Sequence, residues 1–350
     1  MAFTGRAWQY GAIHDTMQDS LTINDAAPLP GVASASSLGR GQVVVEVISA
    51  AINPVDYKLC ETPVVGRLLI PRPATPGLDL CGRVVASASP DLAEGQLVFG
   101  GLPTAAGARG MGTLRKYCVL PASGLTPLPE GVDPDHAAAV GTAGTSAYLS
   151  LMPETLQPGA KVFVNGGSGG VGTWTIQLAK AMGAAHVVAT CSTRNVDLCR
   201  QLGADEVVDY RSVNVIDDYL KTKTREFDLV IDNVGDNAPP LYDASAHALK
   251  PGGTFVQVGV GAAMSPGSMA AMFKRQLWPP SFLGGGPEFY LVRMDNNSKM
   301  LKPIGQWMTE GKIKAVIDRA YAWDEVPEAY RHLRGGHARG KIVVRVTDQK

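Results

Sequence analysis

The chain has no CxxC pair and no cluster of cysteines; Cys60, Cys81, Cys118, Cys191 and Cys199 are scattered and odd in number. That argues against both a disulfide framework and a zinc cluster, so reduced thiols in a cytoplasmic protein are the expectation. Neither sign of charge is in excess, because 32 basic residues balance 32 acidic ones. Nucleic acid or an anionic membrane therefore meets no bulk attraction, and a small molecule is the expected partner. The first thirty residues lack the apolar stretch of a signal peptide, and Asp15 and Asp19 among few arginines disfavour a transit peptide. No run approaches the roughly eighteen apolar residues that a membrane span needs. Internal repeats are also missing, and the only biased patch is the Ala, Ser and Gly stretch at residues 31–41.

What is present is length, since 350 residues exceed one ordinary core and suit two domains. From about residue 41 to 130 the chain reads as short β-rich runs punctuated by Gly and Pro: VVVEVISAAI, DLCGRVVAS, GQLVFG and LRKYCVL. The pattern then changes to apolar runs alternating with longer helical stretches, the mark of stacked βαβ units on a parallel sheet. Strands are expected at residues 161–165, 186–191, 206–210, 227–233 and 254–260, with helices over 171–183 and 195–204. After residue 295 a helix-like run at 299–311 precedes β-like runs at 315–323 and 341–346, which predicts that the tail rejoins the first domain. The expected fold is α/β. A β domain takes residues 1–130 and 296–350, and a Rossmann domain with a doubly wound parallel sheet takes 131–295.

The strand KVFVN runs directly into Gly166-Gly167-Ser168-Gly169-Gly170-Val171-Gly172, and a helix of apolar period follows. Gly167, Gly169 and Gly172 fit the dinucleotide fingerprint, which needs a tight turn, backbone close to pyrophosphate and close helix–strand packing. The helix N-terminus then presents unpaired N–H groups to the anion. About twenty residues on, where NAD enzymes carry an acid for the ribose hydroxyls, this chain has Cys191-Ser192-Thr193-Arg194-Asn195 and no carboxylate before Asp197. Ser192 and Asn195 can hydrogen-bond a 2′-phosphate and Arg194 can add a charge-assisted contact, which favours NADPH. Against this, Ser192 can merely cap the next helix and Arg194 can be a solvated first-turn residue.

Taken together, AINPVDYK at 51–58, PGLDLCG at 76–82, AGTSAYLSL at 143–151, the glycine loop, LGADEVVDYR at 202–211, DNVG at 232–235 and GHARGKIVV at 336–344 cover nearly the whole chain. The sequence thereby resembles the medium-chain dehydrogenase/reductase superfamily, in its zinc-lacking quinone oxidoreductase and fungal trans-acting enoyl reductase branches. That resemblance implies a GroES-like β domain followed by the Rossmann domain. It implies no metal, because Asn53 and the Leu78-Asp79 pair stand where the zinc alcohol dehydrogenases carry a cysteine and a His-Glu pair, and the structural cysteines are missing. By the same matching, Val55 and Asp56 lie at the cofactor and Tyr57 and Lys58 in the active site. The ribose and phosphate contacts map to Gly169, Gly170, Val171, Gly172, Ser192, Arg194, Asn195 and Tyr210. Ser146 is implied near the nicotinamide, and Val258, Gly259, Ile342 and Val343 along the cofactor.

Hydride chemistry belongs to the nicotinamide, and the protein supplies position and a partner for the charge that develops on a substrate oxygen. Without zinc, the ammonium of Lys58 or the hydroxyl of Tyr57 can serve, beside Asn53 as a third candidate. The alternatives are a solvated surface Lys58, a Lys58 that binds cofactor phosphate, and an Asn53-Pro54-x-Asp56 turn in which Asp56 caps backbone. The apolar segment at 261–294, with Met264, Met269, Met272, Phe273, Leu277, Trp278 and Phe282, suits a pocket wall and, equally, plain core or a dimer edge. Three functions follow: an NADPH-dependent reductase of enones or quinones, an enoyl reductase acting on a thioester held by a carrier protein in a fungal biosynthetic pathway, and a non-catalytic NADPH-binding sensor or scaffold. Monomer and homodimer both remain open.

Overall fold

The computed structural model describes residues 3–62, 65–104, 109–152, 154, 156–236, 238–259, 286–293 and 296–347, with isolated positions between 267 and 277. The chain divides into two compact units: Met1–Thr145 with Met294–Lys350, and Ser146–Arg293. Each unit has its own core.

In the first unit β1 (Thr4–Tyr10) and β2 (Leu21–Pro28) form an antiparallel hairpin. Next come β3 (Gln42–Ile52), the short helix α1 (Pro54–Cys60), β4 (Asp79–Ser87), β5 (Leu97–Gly101), β6 (Tyr117–Pro121), β7 (Leu125–Pro127), α2 (Pro134–Ala138) and α3 (Gly141–Ser150), whose last turns belong to the second unit. Residues 131–145 stay with the β unit because α2 packs there; Asp135 takes the Ser49 hydroxyl and, at 2.8 Å, Nε of Arg345. The hairpin had no counterpart in the sequence reading. Five consecutive positions of β2 are exposed, so it carries little apolar alternation. Its partner strand is held instead by the rest of the unit, with the Trp8 indole donating to the Trp323 carbonyl (2.8 Å) and Tyr10 N–H to Ala74 O (2.9 Å).

The second unit holds β8 (Lys161–Asn165), α4 (Gly170–Ala181), β9 (His186–Cys191), α5 (Val196–Gln201), β10 (Glu206–Asp209), β11 (Phe227–Asp232), α6 (Ala238–Ala248), β12 (Leu249–Gln257) and β13 (Glu288–Leu291). These six strands are all parallel, in the order β10-β9-β8-β11-β12-β13. That is the doubly wound order with its switch point between β8 and β11. Strands such as His186–Cys191 are buried almost end to end rather than alternately, as expected where both sheet faces are covered. Phe163, Phe227, Val230, Leu241 and Phe255 lead the core. Four of the five expected strands match to within a residue or so at each end, while β12 starts earlier, at Leu249, and β13 is a sixth.

The chain then returns to the first unit with α7 (Ser298–Thr309), β14 (Ile317–Tyr321), α8 (Val326–Arg334) and β15 (Lys341–Arg345). β15 pairs antiparallel with β3, Ile342 opposite Ile52 and Val343 opposite Ala51, completing the sheet β14-β15-β3-β4-β5-β7. Among the described residues no helix is long and apolar enough to cross a membrane.

Candidate active site

At the carboxyl end of β8 the chain turns through the glycine loop into α4, with Gly169 as the N-cap. A Cβ on Gly172 would lie 2.1 Å from Gly166 O and 2.7 Å from Gly167 Cα, so helix and loop touch through bare backbone. Thr190 of β9 locks the loop from the other side, accepting the Gly166 N–H (2.9 Å) and donating to Asn165 Oδ1 (2.7 Å). The first N–H groups of α4 have no partner within the helix, which makes this a place for an anion.

The end of β9 supplies polar groups beside that loop. Asn195 is buried, and its Nδ2 donates to Ser168 Oγ (2.9 Å) and Ser192 Oγ (3.3 Å), while its Oδ1 is buried without a partner. Arg194 is exposed in the same turn, and half-exposed Tyr210 is tied in through its N–H to Cys191 O (3.0 Å). Asp209, one strand over, is occupied by the Thr193 hydroxyl and the Arg211 N–H, which hold its carboxyl below the usual range. The turn therefore brings together Ser192, Arg194, Asn195 and Tyr210, and adds Ser168, the residue between the fingerprint glycines Gly167 and Gly169.

A second group of residues at the switch point was missed. Asp232, fully buried at the end of β11, accepts from Asn165 Nδ2 (2.9 Å), Val234 N–H (3.0 Å) and Gly235 N–H (3.1 Å), and burial raises its pKa. Its Oδ2, both polar atoms of the Asn233 side chain and Oε1 of Gln257 are enclosed without hydrogen-bond partners. Val258 and Gly259 donate their N–H groups to Asp232 O (2.9 and 3.0 Å). Buried polar atoms are rarely left unmatched in a finished fold. Here they collect at the carboxyl ends of β11 and β12, where open α/β sheets bind ligands. Together with the glycine cradle, this set of unmatched acceptors and one amide donor fits a dinucleotide. DNVG was the available signal, but a motif does not reveal which of its atoms lack partners.

In the first unit α1 carries four of the expected residues, with Asn53 as its N-cap. The Asn53 N–H donates to Asp56 Oδ2 (2.8 Å), closing a capping box that anchors the helix start. Its side chain is not free to act on substrate: Nδ2 donates to Asp79 Oδ2 (2.8 Å) and Oδ1 accepts from Lys341 Nζ (2.5 Å). Asn53 is thus held as a structural anchor between Asp79 and Lys341. The Tyr57 ring lies 4.0 Å from the guanidinium of Arg334, which also binds Gln18 and Glu61, and burial raises its pKa. Val55 and Asp56, with Tyr10, Leu59, Ile70 and Leu78, border a small cleft. Lys58 is half-buried in the last turn, and Ser146 is buried within α3. Ile342 and Val343 are buried in the β15 ladder, and so is Lys341 at its start, which the motif GKIVV does not mark. Of the apolar segment, Met264, Met269, Met272, Phe273, Trp278 and Phe282 lie outside the described residues, and Leu277 is 82% exposed.

Asp56 has a measurable consequence. Its Oδ2 also accepts from Tyr330 OH (3.1 Å), but Oδ1 is buried and unmatched. Burial first, and then the charge of Asp79, push its carboxyl up to about 7 against the opposing Asn53 hydrogen bond and Lys341 charge. An acid with a raised pKa is protonated in both states below about pH 4, so it costs nothing there. Between about 4 and 7 the unfolded chain releases the proton while the fold retains it, so stability falls as pH rises through that window. Asp56→Asn, which keeps the acceptor, is expected to remove that loss and gain on the order of 3 kcal/mol relative to wild type on going from pH 4.5 to 8. Urea unfolding across pH measures it, and parallel curves for the two proteins would refute it.

Comparison with known proteins places these features in a family. Residues 202–344 match the zinc-binding dehydrogenase model and residues 39–130 the alcohol dehydrogenase GroES-like domain. The chain is 43% identical to Trans-enoyl reductase pgmF of Aspergillus terreus, over 99% of this chain and 97% of that one. It is 33% identical to the NADPH-dependent alkenal/one oxidoreductase, chloroplastic, of Arabidopsis thaliana, over 87% and 72%. Among solved structures, the quinone oxidoreductase from Coxiella burnetii superposes with a TM-score of 0.79 at 25% identity, covering 98% of this chain and 99% of that one.

Proposed function

The chain belongs to the zinc-lacking branch of the medium-chain dehydrogenase/reductase family, and from that premise we propose that it reduces a conjugated carbonyl substrate, an enone or a quinone, with NADPH. It is an oxidoreductase that uses a nicotinamide dinucleotide. The observation that carries the choice of NADPH is the end of β9, where Ser192, Asn195 and Arg194 stand in place of a ribose-binding carboxylate. The bound nicotinamide supplies the hydride. The glycine loop and the α4 N-terminus hold the pyrophosphate, and the polar groups at the ends of β11 and β12 orient the nicotinamide half. Lys58 donates to the substrate oxygen as negative charge builds there, an interaction stronger in the transition state than in the ground state.

A second reading, reduction of an enoyl thioester, is supported by the 43% relative named as a trans-enoyl reductase. Turnover of NADPH across a panel of quinones, short enones and enoyl thioesters, the last both free and carrier-bound, separates the two. Activity confined to carrier-bound thioesters would replace the first reading with the second.

Cofactor preference gives a further expectation. NADPH should bind at least about tenfold more tightly than NADH, a gap of ~1.4 kcal/mol that one charge-assisted contact supplies. Arg194→Ala should weaken NADPH selectively and leave NADH nearly unchanged. Equal affinities for the two dinucleotides by calorimetry would overturn it.

A further inference from the structure

Three segments far apart in sequence meet at one buried cation in the first unit. Lys341, 4% exposed at the start of β15, directs its ammonium to Ile52 O (3.1 Å), Asn53 Oδ1 (2.5 Å) and Asp79 Oδ2 (3.4 Å). Its three donors are thereby used. Asp79, 0% exposed at the start of β4, also accepts from Asn53 Nδ2 (2.8 Å) through Oδ2, and from the Thr142 N–H (2.7 Å) and hydroxyl (2.6 Å) through Oδ1. A Cβ on Gly141 would lie 2.3 Å from that Oδ1, so the first turn of α3 sits directly on the carboxylate.

A buried ion pair is a poor source of net stability, because desolvation offsets most of the attraction and a packed apolar pair often does as well. What a closed network of this kind supplies is geometry. The element whose geometry it controls is α1. At seven residues α1 has almost no intrinsic helical stability, and its N-cap, Asn53, is the residue clamped between cation and carboxylate.

We propose that Lys341 is a positioning residue for the reduction: clamped against Asp79 and the Asn53 amide, its ammonium sets the angle at which α1 presents Val55 and Lys58 to the substrate. The proposal rests on the reading that α1 faces the reacting substrate.

The full-length protein tests it, with turnover measured well below each variant's melting temperature. Lys341→Met alone strands the Asp79 carboxylate and should lower the melting temperature. In Lys341→Met with Asp79→Asn both charges are gone, so stability should largely return while kcat stays about tenfold or more below wild type, with little change in NADPH affinity. Asn53→Ser keeps a capping side chain but is too short to reach both Lys341 and Asp79, and should show the same kcat loss with a melting temperature lowered at least as much as by Thr142→Val. Thr142→Val, which loosens Asp79 from the α3 side only, should cost stability without costing kcat. Wild-type kcat in the double variant and in Asn53→Ser, or kcat that simply follows melting temperature across the set, would overturn the proposal. Lys58→Met separates the two readings. If it turns over normally while the Lys341 and Asn53 variants are slow, the role of Lys58 fails and the positioning of α1 stands; the reverse pattern removes only Lys341.

Discussion

Gly172→Ala is expected to abolish useful cofactor binding, lowering NADPH affinity by at least about 100-fold, or ~2.7 kcal/mol. The new methyl group would arrive 2.1 Å from Gly166 O and within 2.8 Å of Gly167 Cα and C, all backbone atoms that have no rotamer with which to yield. Helix α4 must therefore lift away from the loop, moving the N–H groups to which the proposed function assigns the pyrophosphate. Overpacking at such a contact should also cost about 1–3 kcal/mol of stability. Gly169→Ala is the control, because a Cβ there meets only Gly166 O at 3.7 Å and its φ of −79° suits alanine. Its melting temperature should stay near wild type. Fluorescence titration with NADPH and thermal melts on both variants check the expectation, and normal binding by Gly172→Ala would mean that the loop is not the phosphate cradle.

Lys58→Met should lower the turnover number by roughly 10²-fold with little change in NADPH affinity, within the range seen when one oxyanion donor is removed. Methionine keeps most of the stem and deletes the charge, so the packing of the half-buried side chain changes least. If Lys58 instead binds a cofactor phosphate, NADPH affinity falls while turnover at saturating cofactor survives. Near-normal values of both would exclude the lysine from the chemistry. The hydroxyl of Tyr57 would then be the next donor to test, although its ring is already packed under Arg334. One variant, assayed for kcat, KM and NADPH affinity, separates these outcomes.

The same residues show how far a sequence can be read. Gly167, Gly169 and Gly172 were legible because their requirement is local: a strand, a turn and a helix in immediate succession leave few alternatives to a phosphate loop. That the polar run Ser192, Arg194 and Asn195 lies beside that loop was legible through its fixed distance along the chain. The buried runs at 161–165 and 186–191 announced a parallel sheet for a similar reason, since covering both faces leaves no polar alternation. By contrast, the β1–β2 hairpin was hidden because its anchors, Leu114, Ala74 and Trp323, lie far along the chain.

By itself, then, the sequence determined the class of fold, the position of the glycine loop between β8 and α4 and the lack of a carboxylate at the end of β9, all consequences of residues within about one turn or strand of each other. Only the tertiary structure decided what Asn53, Asp79 and Lys341 do. They are 26 and 262 residues apart across the Asp79 contacts, and no local pattern marks a lysine in GKIVV as a buried cation. It likewise decided that Asp56 caps α1 with one oxygen while the other stays unmatched, and that Asp232, Asn233 and Gln257 hold polar atoms in reserve at the switch point. The physical reason is the same in each case. Hydrogen-bond satisfaction and burial depend on which distant strands are neighbours, and that is set by packing the whole chain rather than by any window of it.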